Sequence, residues 1–272
     1  MRHSDIIDWI EVFAPVETAC EWDNVGLMAG SRDDVTKSVI FCLDLTADIL
    51  EKAARAGINL IITHHPLIFD REAEIRPDSV LGKKLATIAE KKITVYSAHT
   101  NLDYARGGVN DVFASRLGLV KMKTDEDGLH RFGELPEAKA VSEFVDEKTA
   151  DFNSFNSKVV LPDSMTPDDN IVKIGVCCGS FDGETDWLVR NGIDLLVTGE
   201  MKHHHAILLK ELGIAALELG HYETEIDAVK SLAVHVKKSL ESQLQQDRVP
   251  VKIASKTNPY CDILFIEENG LM

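Results

Sequence analysis

The chain has 272 residues and 44% of them are hydrophobic, so it is long enough for one large domain or two lobes with a substantial core. Its formal charge is −16, from 45 acidic and 29 basic residues, which disfavours non-specific binding to nucleic acids and to anionic membranes. The first residues lack the layout of a signal peptide, and no stretch approaches the roughly 20 apolar residues of a membrane span. We therefore expect a soluble cytoplasmic protein.

The cysteines favour a reducing environment. They are five, an odd number, and most lie in apolar stretches: Cys20, Cys42, Cys177, Cys178 and Cys261. This pattern is typical of core thiols rather than of a disulfide framework.

Strands and helices alternate along most of the chain, which predicts an α/β fold with mainly parallel sheets covered by helices. The predicted elements of the first half are strand 38–43, helix 47–56, strand 58–62, helix 80–91, strand 93–97 and helix 109–117. Those of the second half are strand 172–177, helix 184–190, strand 193–198, helix 202–212, strand 215–219 and helix 226–244. We interpret the pattern as two similar lobes, 1–125 and 126–272, with C-terminal strands in the second.

The sequence between the two halves has a different composition. Residues 121–170 are charged and rich in turn residues, and we interpret them as a connection between the lobes with at least one strand at 158–161. The tail from residue 249 holds one or two more strands, which would return to a sheet edge.

The two halves also match in their letters. "VIFCLDLTADILEKAARAGINLIITHH" (39–65) aligns with "IGVCCGSFDGETDWLVRNGIDLLVTGE" (174–200), so that Cys42 lies over Cys177 and Thr63 over Thr198. Similar βαβ units can share such letters for architectural reasons alone. However, the third strands then end in "SAHTNLD" and "ELGHYETE", and both endings have the form His-x-x-x-carboxylate. The second match makes a purely architectural explanation less attractive.

Adjacent histidines follow one of the predicted strands. In "IITHHPLIFD" (61–70), His64 and His65 come after an apolar run and Pro66 stops the strand, so both histidines lie at its carboxyl end. Ligands of parallel α/β sheets bind at that end. Neighbouring residues of an extended chain point in opposite directions, which favours two bound ions over one.

Most of the histidines share this kind of position. Seven of the ten lie where a predicted strand ends or the next helix begins, namely His64, His65, His99, His203, His204, His205 and His221. Together with Asp103, Glu200 and Glu225 they form a nitrogen and oxygen ligand set that suits Zn²⁺, Fe²⁺, Mn²⁺ or Ni²⁺. Carboxylates such as Asp103 and Glu225 can bridge two ions, and such a pair activates a water molecule.

Structural roles are the alternative for several of these residues. We interpret His3, His130 and His235 as structural or surface residues. Because residues 203–205 open a helix, at most one or two of their three side chains can face a site. Glu200 is equally well explained as a ligand or as a first-turn acid that the helix dipole favours.

Five segments resemble a known family, the Ngg-interacting-factor-three-like proteins, whose bacterial members are commonly labelled GTP cyclohydrolase 1 type 2 homologues. The matching segments are "WDNVGLMAG" (22–30), "THHP" (63–66), "SAHTNLDYARGGVND" (97–111), "TGEMKHHHA" (198–206) and "GHYETE" (220–225). The chain is too short for the inserted middle domain of longer relatives, so the whole chain corresponds to one family domain.

The resemblance implies two α/β lobes with a metal cleft between them and a homo-oligomer, a hexameric ring. It also implies a two-metal site on His64, His65, Asp103, His221 and Glu225. His99 and His204 match family histidines near that site, where they would contact a metal ligand or the substrate and act as catalytic groups.

Two functions are compatible with such a site. The first is a metal-dependent hydrolase, in which activated water attacks a phosphoester or a purine-like C–N bond of a small molecule such as a nucleotide. The second is a non-catalytic carrier of iron or another metal, or a scaffold that a metal pair stabilises. A ring that encircles DNA would have to overcome the net charge. We favour the hydrolase slightly.

Overall fold

The computed structural model describes residues 1–70, 75–247, 252–256 and 263–267. It contains two compact units, the first formed by Met1–Ala105 and Val229–Met272 and the second by Arg106–Ala228. Within the described residues, no helix combines the length and the apolar character that crossing a bilayer requires.

The first unit begins with a helix and continues as alternating strands and helices. Its elements up to residue 105 are α1 His3–Phe13, a 3₁₀ turn Val16–Thr18, β1 Gly26–Ala29, β2 Ser38–Cys42, α2 Ala47–Ala56, β3 Leu60–Thr63, α3 Val80–Lys91, β4 Thr94–Ser97 and α4 Thr100–Tyr104. Helices α2 and α3 have the predicted bounds because side-chain caps mark their starts. Thr46 accepts a hydrogen bond from the Ile49 N–H, and Ser79 accepts one from the Gly82 N–H.

The second unit has the same alternation with an additional antiparallel part. Its elements are α5 Val109–Arg116, β5 Val120–Thr124, β6 Arg131–Ala140, α6 Val141–Asp151, β7 Lys158–Val160, β8 Asn170–Ser180, α7 Asp186–Asn191, β9 Leu195–Glu200, α8 His203–Glu211 and β10 Ala215–Glu218. The long helix α9 then spans His221–Asp247, and the division between the units falls within it. Strands β11 Lys252–Lys256 and β12 Ile263–Glu267 complete the described chain.

The two sheets have the same sequence of strand directions. The orders are β1-β4-β3-β2-β12-β11 and β7-β10-β9-β8-β6-β5. In each sheet the three central strands that carry the βαβ connections are parallel, and the flanking strands are antiparallel. The α/β class is therefore confirmed, but the expected parallel arrangement is limited to the central strands.

Strand register agrees with the alignment of the two halves. Cys42 pairs with Thr63 between β2 and β3, and Cys177 pairs with Thr198 between β8 and β9. The strand ends that carry histidines and carboxylates therefore occupy equivalent places in the two sheets.

The unit boundaries differ from the predicted lobes 1–125 and 126–272. Strand β12 pairs with β2, so the C-terminal strands belong to the first sheet. The predicted connection 121–170 is not a linker, because β6 pairs with β8 along most of its length and β7 pairs with β10. The strand expected at 158–161 is therefore an edge strand of the second sheet. Part of the predicted tail, with Cys261, lies outside the described residues.

Apolar side chains hold the helices of each unit on its sheet. In the first unit Ile40, Ile61 and Val95 are fully buried with apolar residues of α2 and α3. In the second unit alternate residues of β9 enter different clusters, because Leu195 packs in one and Leu196 in the other. Burial of each such side chain contributes about 1.5–3 kcal/mol, so the sheets are firm supports for the residues at their ends.

Candidate metal centre

The adjacent histidines follow β3 and lie at the carboxyl ends of the parallel strands of the first sheet. Beyond the end of β3, the N–H groups of His64 and His65 still donate to the carbonyl oxygens of Cys42 and Leu43, at 3.2 and 3.0 Å. The His64 side chain is buried, whereas the His65 side chain keeps 22% of its surface exposed. The backbone of both residues is thus fixed by the sheet.

A third imidazole and a carboxylate join them. His99 lies just after β4, and its ligand atom and those of His64 and His65 all lie within 4.8 Å of one another. Asp103 lies one turn further along α4, and its Oδ1 is 3.6 Å from Nε2 of His64. We call these four residues the first-unit cluster. Imidazole nitrogens with a carboxylate oxygen and no thiolate are a donor set that fits a divalent transition metal.

The three imidazoles share one hydrogen-bonding pattern. In each ring Nδ1 contacts an oxygen at 2.9 Å, and the pairs are His64 with the Ala98 carbonyl, His65 with Asp44 Oδ1 and His99 with Asp23 Oδ1. Carbonyl and carboxylate oxygens only accept hydrogen bonds, so Nδ1 is the donor in each pair, and in a neutral imidazole the lone pair is then on Nε2. Metal-binding histidines in proteins are oriented in this way.

Asp23 is a buried anchor for His99. Its side chain is 1% exposed and also accepts hydrogen bonds from the N–H and the hydroxyl of Thr100. Burial alone would raise the pKa of Asp23, but the hydrogen bonds from His99 and Thr100 outweigh burial and lower the pKa to about 2. The carboxylate is therefore ionised at neutral pH and holds the His99 ring in place.

The second unit has the same pattern with fewer imidazoles. His221 is the first residue of α9, and its Nε2 lies 3.2 Å from Oε2 of Glu225 one turn later. Its Nδ1 lies 3.1 Å from Oε1 of Glu200, which is the last residue of β9. We call Glu200, His221 and Glu225 the second-unit cluster. Glu200 therefore orients His221, and the alternative of a first-turn acid is wrong because α8 begins only at His203.

Gly179 leaves space beside this cluster. It lies near the end of β8 with a φ of +61°, and a Cβ atom there would be 2.3 Å from Oε1 of Glu225. The same atom would be 3.2 Å from Nε2 of His221. Any side chain at this position would displace the side chains of Glu225 and His221, so the absence of a Cβ at Gly179 leaves room for both.

Of the three consecutive histidines on α8, two are exposed and one is buried. His203 and His204 are exposed, whereas His205 is 8% exposed and its ring lies 5.5 Å from that of Phe181. Burial lowers the pKa of His205. His204 contacts the His205 ring at 4.2 Å, but within the described part of the second unit no hydrogen bond or ion pair joins it to His221 or Glu225.

The other three histidines have structural surroundings. His3 is buried with Nδ1 3.1 Å from the Ser31 carbonyl oxygen, and His235 packs on Phe13 with ring centroids 4.5 Å apart. His130 stacks on Trp187 at 4.7 Å and contacts carboxylates at both nitrogens, Asp125 at 2.7 Å and Asp182 at 3.4 Å. Burial would lower the pKa of His130, but these contacts raise it to about 12.

Sequence reasoning missed the acids that orient the imidazoles of the first unit. Asp23 belongs to the segment "WDNVGLMAG", and Asp44 belongs to the acidic turn after β2. Both acids can be seen in the sequence, but the sequence does not predict which histidine each acid contacts. Asp23 and His99 are 76 residues apart, and Asp44 and His65 are 21 residues apart.

Comparison with known proteins identifies the family. The model of the Duf34/NIF3 (NGG1p interacting factor 3) family matches residues 1–259. A "GTP cyclohydrolase 1 type 2 homolog" from Clostridium acetobutylicum is 31% identical over 266 residues, covering 95% of this chain and 96% of that relative. One from Methanocaldococcus jannaschii is 34% identical over 247 residues, covering 90% and 98%.

A solved structure agrees in fold. The Bacillus cereus protein related to NIF3 superposes with a TM-score of 0.81 at 20% identity, covering 89% of this chain and 94% of that one. The chain belongs to the Duf34/NIF3 family, and the resemblance read from the five segments is confirmed.

Proposed function

We propose that this protein binds two divalent metal ions and uses them to hydrolyse a nucleotide or another phosphoester. The proposed ligands are His64, His65 and Asp103 from the first unit and His221 and Glu225 from the second. Zn²⁺, Fe²⁺, Mn²⁺ and Ni²⁺ all suit this set of nitrogen and oxygen donors. The label of the relatives, a GTP cyclohydrolase homologue, is compatible with a nucleotide substrate.

One observation carries the proposal. At the two equivalent strand ends, imidazoles whose Nδ1 contacts a carbonyl or carboxylate oxygen lie beside a second carboxylate. Nε2 of His64 is 3.6 Å from Asp103, and Nε2 of His221 is 3.2 Å from Glu225. The structural residues His3 and His130 also have Nδ1 against an oxygen, so this orientation alone does not identify a metal ligand. The repetition of an oriented imidazole next to a carboxylate at both strand ends supports metal binding over a structural role.

Bound divalent ions would supply Lewis acidity and lower the pKa of a water molecule. The chain itself would hold the substrate and move protons. Asp23 fixes the His99 ring, which makes His99 suitable for donating or accepting a proton at Nε2. We assign His204 a similar role on the basis of the family resemblance, and its exposure leaves it accessible to a substrate.

A metal carrier is the second candidate. The His221 side chain is 36% exposed, and a ligand that solvent reaches favours exchange of the ion with an acceptor. We also propose that the chain forms a homo-oligomer, the hexameric ring that the resemblance implies, and analytical ultracentrifugation tests this.

Metal analysis of protein purified without chelators tests the proposal. We expect two ions per chain in the wild type and a clear loss of metal in Glu225→Gln, which removes one anionic ligand. Glu223→Gln is the matched control, because it makes the same charge change two residues earlier in α9. Equal metal content in all three proteins would contradict the proposed site.

Turnover of nucleotides and phosphodiesters by the metal-loaded protein separates the two functions. For a hydrolase we expect His204→Gln to lower kcat by about 100-fold with the metal retained, because general acid–base catalysis contributes at least this much. The neighbouring exposed His203 gives the control variant His203→Gln. Metal transfer to an acceptor chelate without turnover in a broad screen would favour the carrier.

A further inference from the structure

Two large aromatic side chains lie exposed beside the first-unit cluster. Trp22 and Phe69 are each 60% exposed, and their ring centroids are 5.9 Å apart. Both rings also contact His99, each with a centroid distance of 6.1 Å and with interplanar angles of 76° and 67°. Three rings therefore converge at the edge of the proposed metal site.

The backbone on either side of the pair is held in place. Asn24 donates a side-chain hydrogen bond to the carbonyl oxygen of Ile68, which ties the residues after Trp22 to the residue before Phe69. Asp23 is anchored by Thr100 and His99. In the segment Trp-Asp-Asn, the second and third residues thus have structural partners, whereas the first presents its ring to solvent.

Exposed rings that contact each other in this way indicate a ligand-binding surface rather than a part of the apolar core. Exposed apolar surface that is contiguous and lies next to polar groups marks binding sites in soluble proteins. The exposed Phe155 shows the contrast, because it is 94% exposed and has no ring contact among the described residues. A lone exposed ring needs no explanation, but two rings in contact with a proposed catalytic imidazole do.

We propose that Trp22 and Phe69 form a stacking platform for a planar heteroaromatic ring, and that they select substrates that carry one. This inference rests on the proposed function and narrows it from phosphoesters in general to compounds such as purine nucleosides and their derivatives. The separation of 5.9 Å is that of two rings in direct contact, so the ligand stacks on an outer face of the pair. Stacking on aromatic side chains tolerates different bases, because every base has a π-face.

His99 lies between the platform and the other residues of the first-unit cluster in the sense that it contacts both. A ring stacked on Trp22 or Phe69 lies next to His99, whose orientation Asp23 fixes. Substituents of that ring are then within reach of the first-unit cluster. The platform thus provides binding energy from a part of the substrate remote from the cluster and brings the reacting bond to it.

Equilibrium dialysis of the full-length metal-loaded protein tests the platform, with adenosine, guanosine and ribose 5-phosphate as probes. We expect at least one nucleoside to bind and ribose 5-phosphate alone to bind far more weakly. Trp22→Leu and Phe69→Leu should each weaken nucleoside binding by about tenfold, the loss of one stacking contact. Trp22→Phe keeps an aromatic ring and should lose less, and Phe155→Leu is the matched control with no loss.

Metal content and sedimentation of the same variants separate this inference from the proposed function. Weaker nucleoside binding at unchanged metal content and unchanged oligomeric state supports the platform, whether or not the protein hydrolyses the probe. The platform is overturned if no nucleoside binds to the wild type, if Trp22→Leu binds it equally well, or if that variant changes the oligomeric state. If instead Glu225→Gln keeps its metal, the proposed metal site fails while the nucleoside result still decides the platform.

Discussion

The two units use equivalent strand ends for different donor sets. The first-unit cluster has three imidazoles and one carboxylate, whereas the second-unit cluster has one imidazole between two carboxylates. The supporting strands nevertheless have the same order, directions and register. The sheet therefore fixes where donors can be placed, while the residues at those places determine the balance of neutral and anionic groups.

The paired cysteine positions show a second difference. Cys42 in β2 is buried in the apolar cluster of the first unit. Cys177 in β8 is also buried but lies beside His130 and Asp182, and burial raises the pKa of its thiol. The second unit thus contains a buried ion set, formed by His130 and Asp125, close to Cys177, where the first unit has apolar residues around Cys42.

The acids that orient the imidazoles give the sharpest test of the comparison between the clusters. We expect Glu200→Gln to weaken metal binding by about 10–100-fold, because a carboxylate that orients a ligand histidine contributes this much. Asp44→Asn should cost less, since His65 has two imidazole neighbours in its cluster and His221 has none in the second-unit cluster. Competition with a chromophoric chelator measures both affinities. A larger effect in Asp44→Asn would reverse the comparison.

The space beside the second-unit cluster can be closed with one methyl group. Gly179→Ala places a Cβ against Glu225 and His221, and we expect metal binding to weaken by about tenfold, as for loss of one orienting contact. Gly192→Ala is the matched control, because Gly192 has the same φ of 61° and its nearest neighbour to a Cβ is the Lys173 ammonium at 3.7 Å.

Both alanine variants should lose about 1–2 kcal/mol of unfolding free energy from the left-handed backbone conformation. Only Gly179→Ala should lose metal at temperatures where both are folded. Equal metal loss in the two variants would mean that backbone strain, not occupied space, causes it. Isothermal calorimetry of metal binding with thermal denaturation of the same samples makes the distinction.

The buried ion set predicts a pH dependence specific to the second unit. The pKa of His130 is about 6.5 in an unfolded chain and about 12 in the folded protein, so the folded state holds one more proton between these values. The contribution of His130 to stability is complete below pH 6.5 and is lost as the pH rises toward 12. We expect the difference in unfolding free energy between wild type and His130→Gln to shrink by about 1 kcal/mol from pH 7 to pH 8.

Urea denaturation at the two pH values measures that difference, and His203→Gln serves as the exposed control that should show none. A difference that stays constant with pH would show that His130 is neutral in the folded protein. It would also remove the contrast with the apolar surroundings of Cys42.

Much of the architecture could be predicted because local signals mark it. The caps Thr46 and Ser79 define α2 and α3, and Gly57 in the left-handed conformation ends α2. Strand β6 was missed because only its first half alternates between buried and half-buried residues, and Pro136 and Glu137 interrupt the pattern. The pairing of β12 with β2 is a contact across most of the chain, which no local signal encodes.

The residues of the candidate site also fall into those that the sequence predicts and those that it does not. His64, His65, His99 and Asp103 could be brought together from the sequence because parallel strands end at one edge of a sheet, and the structure shows them in contact. The helix that begins at His221 was expected only from residue 226, since the letters "GHYETE" lack an apolar period. The partners of Asp23, Asp44 and Glu200 depend on side-chain directions that periodicity does not give.

The hydrogen bonds at Nδ1 have a consequence for the energetics of ligand capture. Each imidazole already has its ring direction fixed by a neighbouring oxygen, so the loss of side-chain freedom occurs when the chain folds. Preorganisation of this kind leaves less entropy to be lost at the moment of association. An incoming cation would therefore meet a rigid receptor rather than a set of side chains that must first be arranged around it.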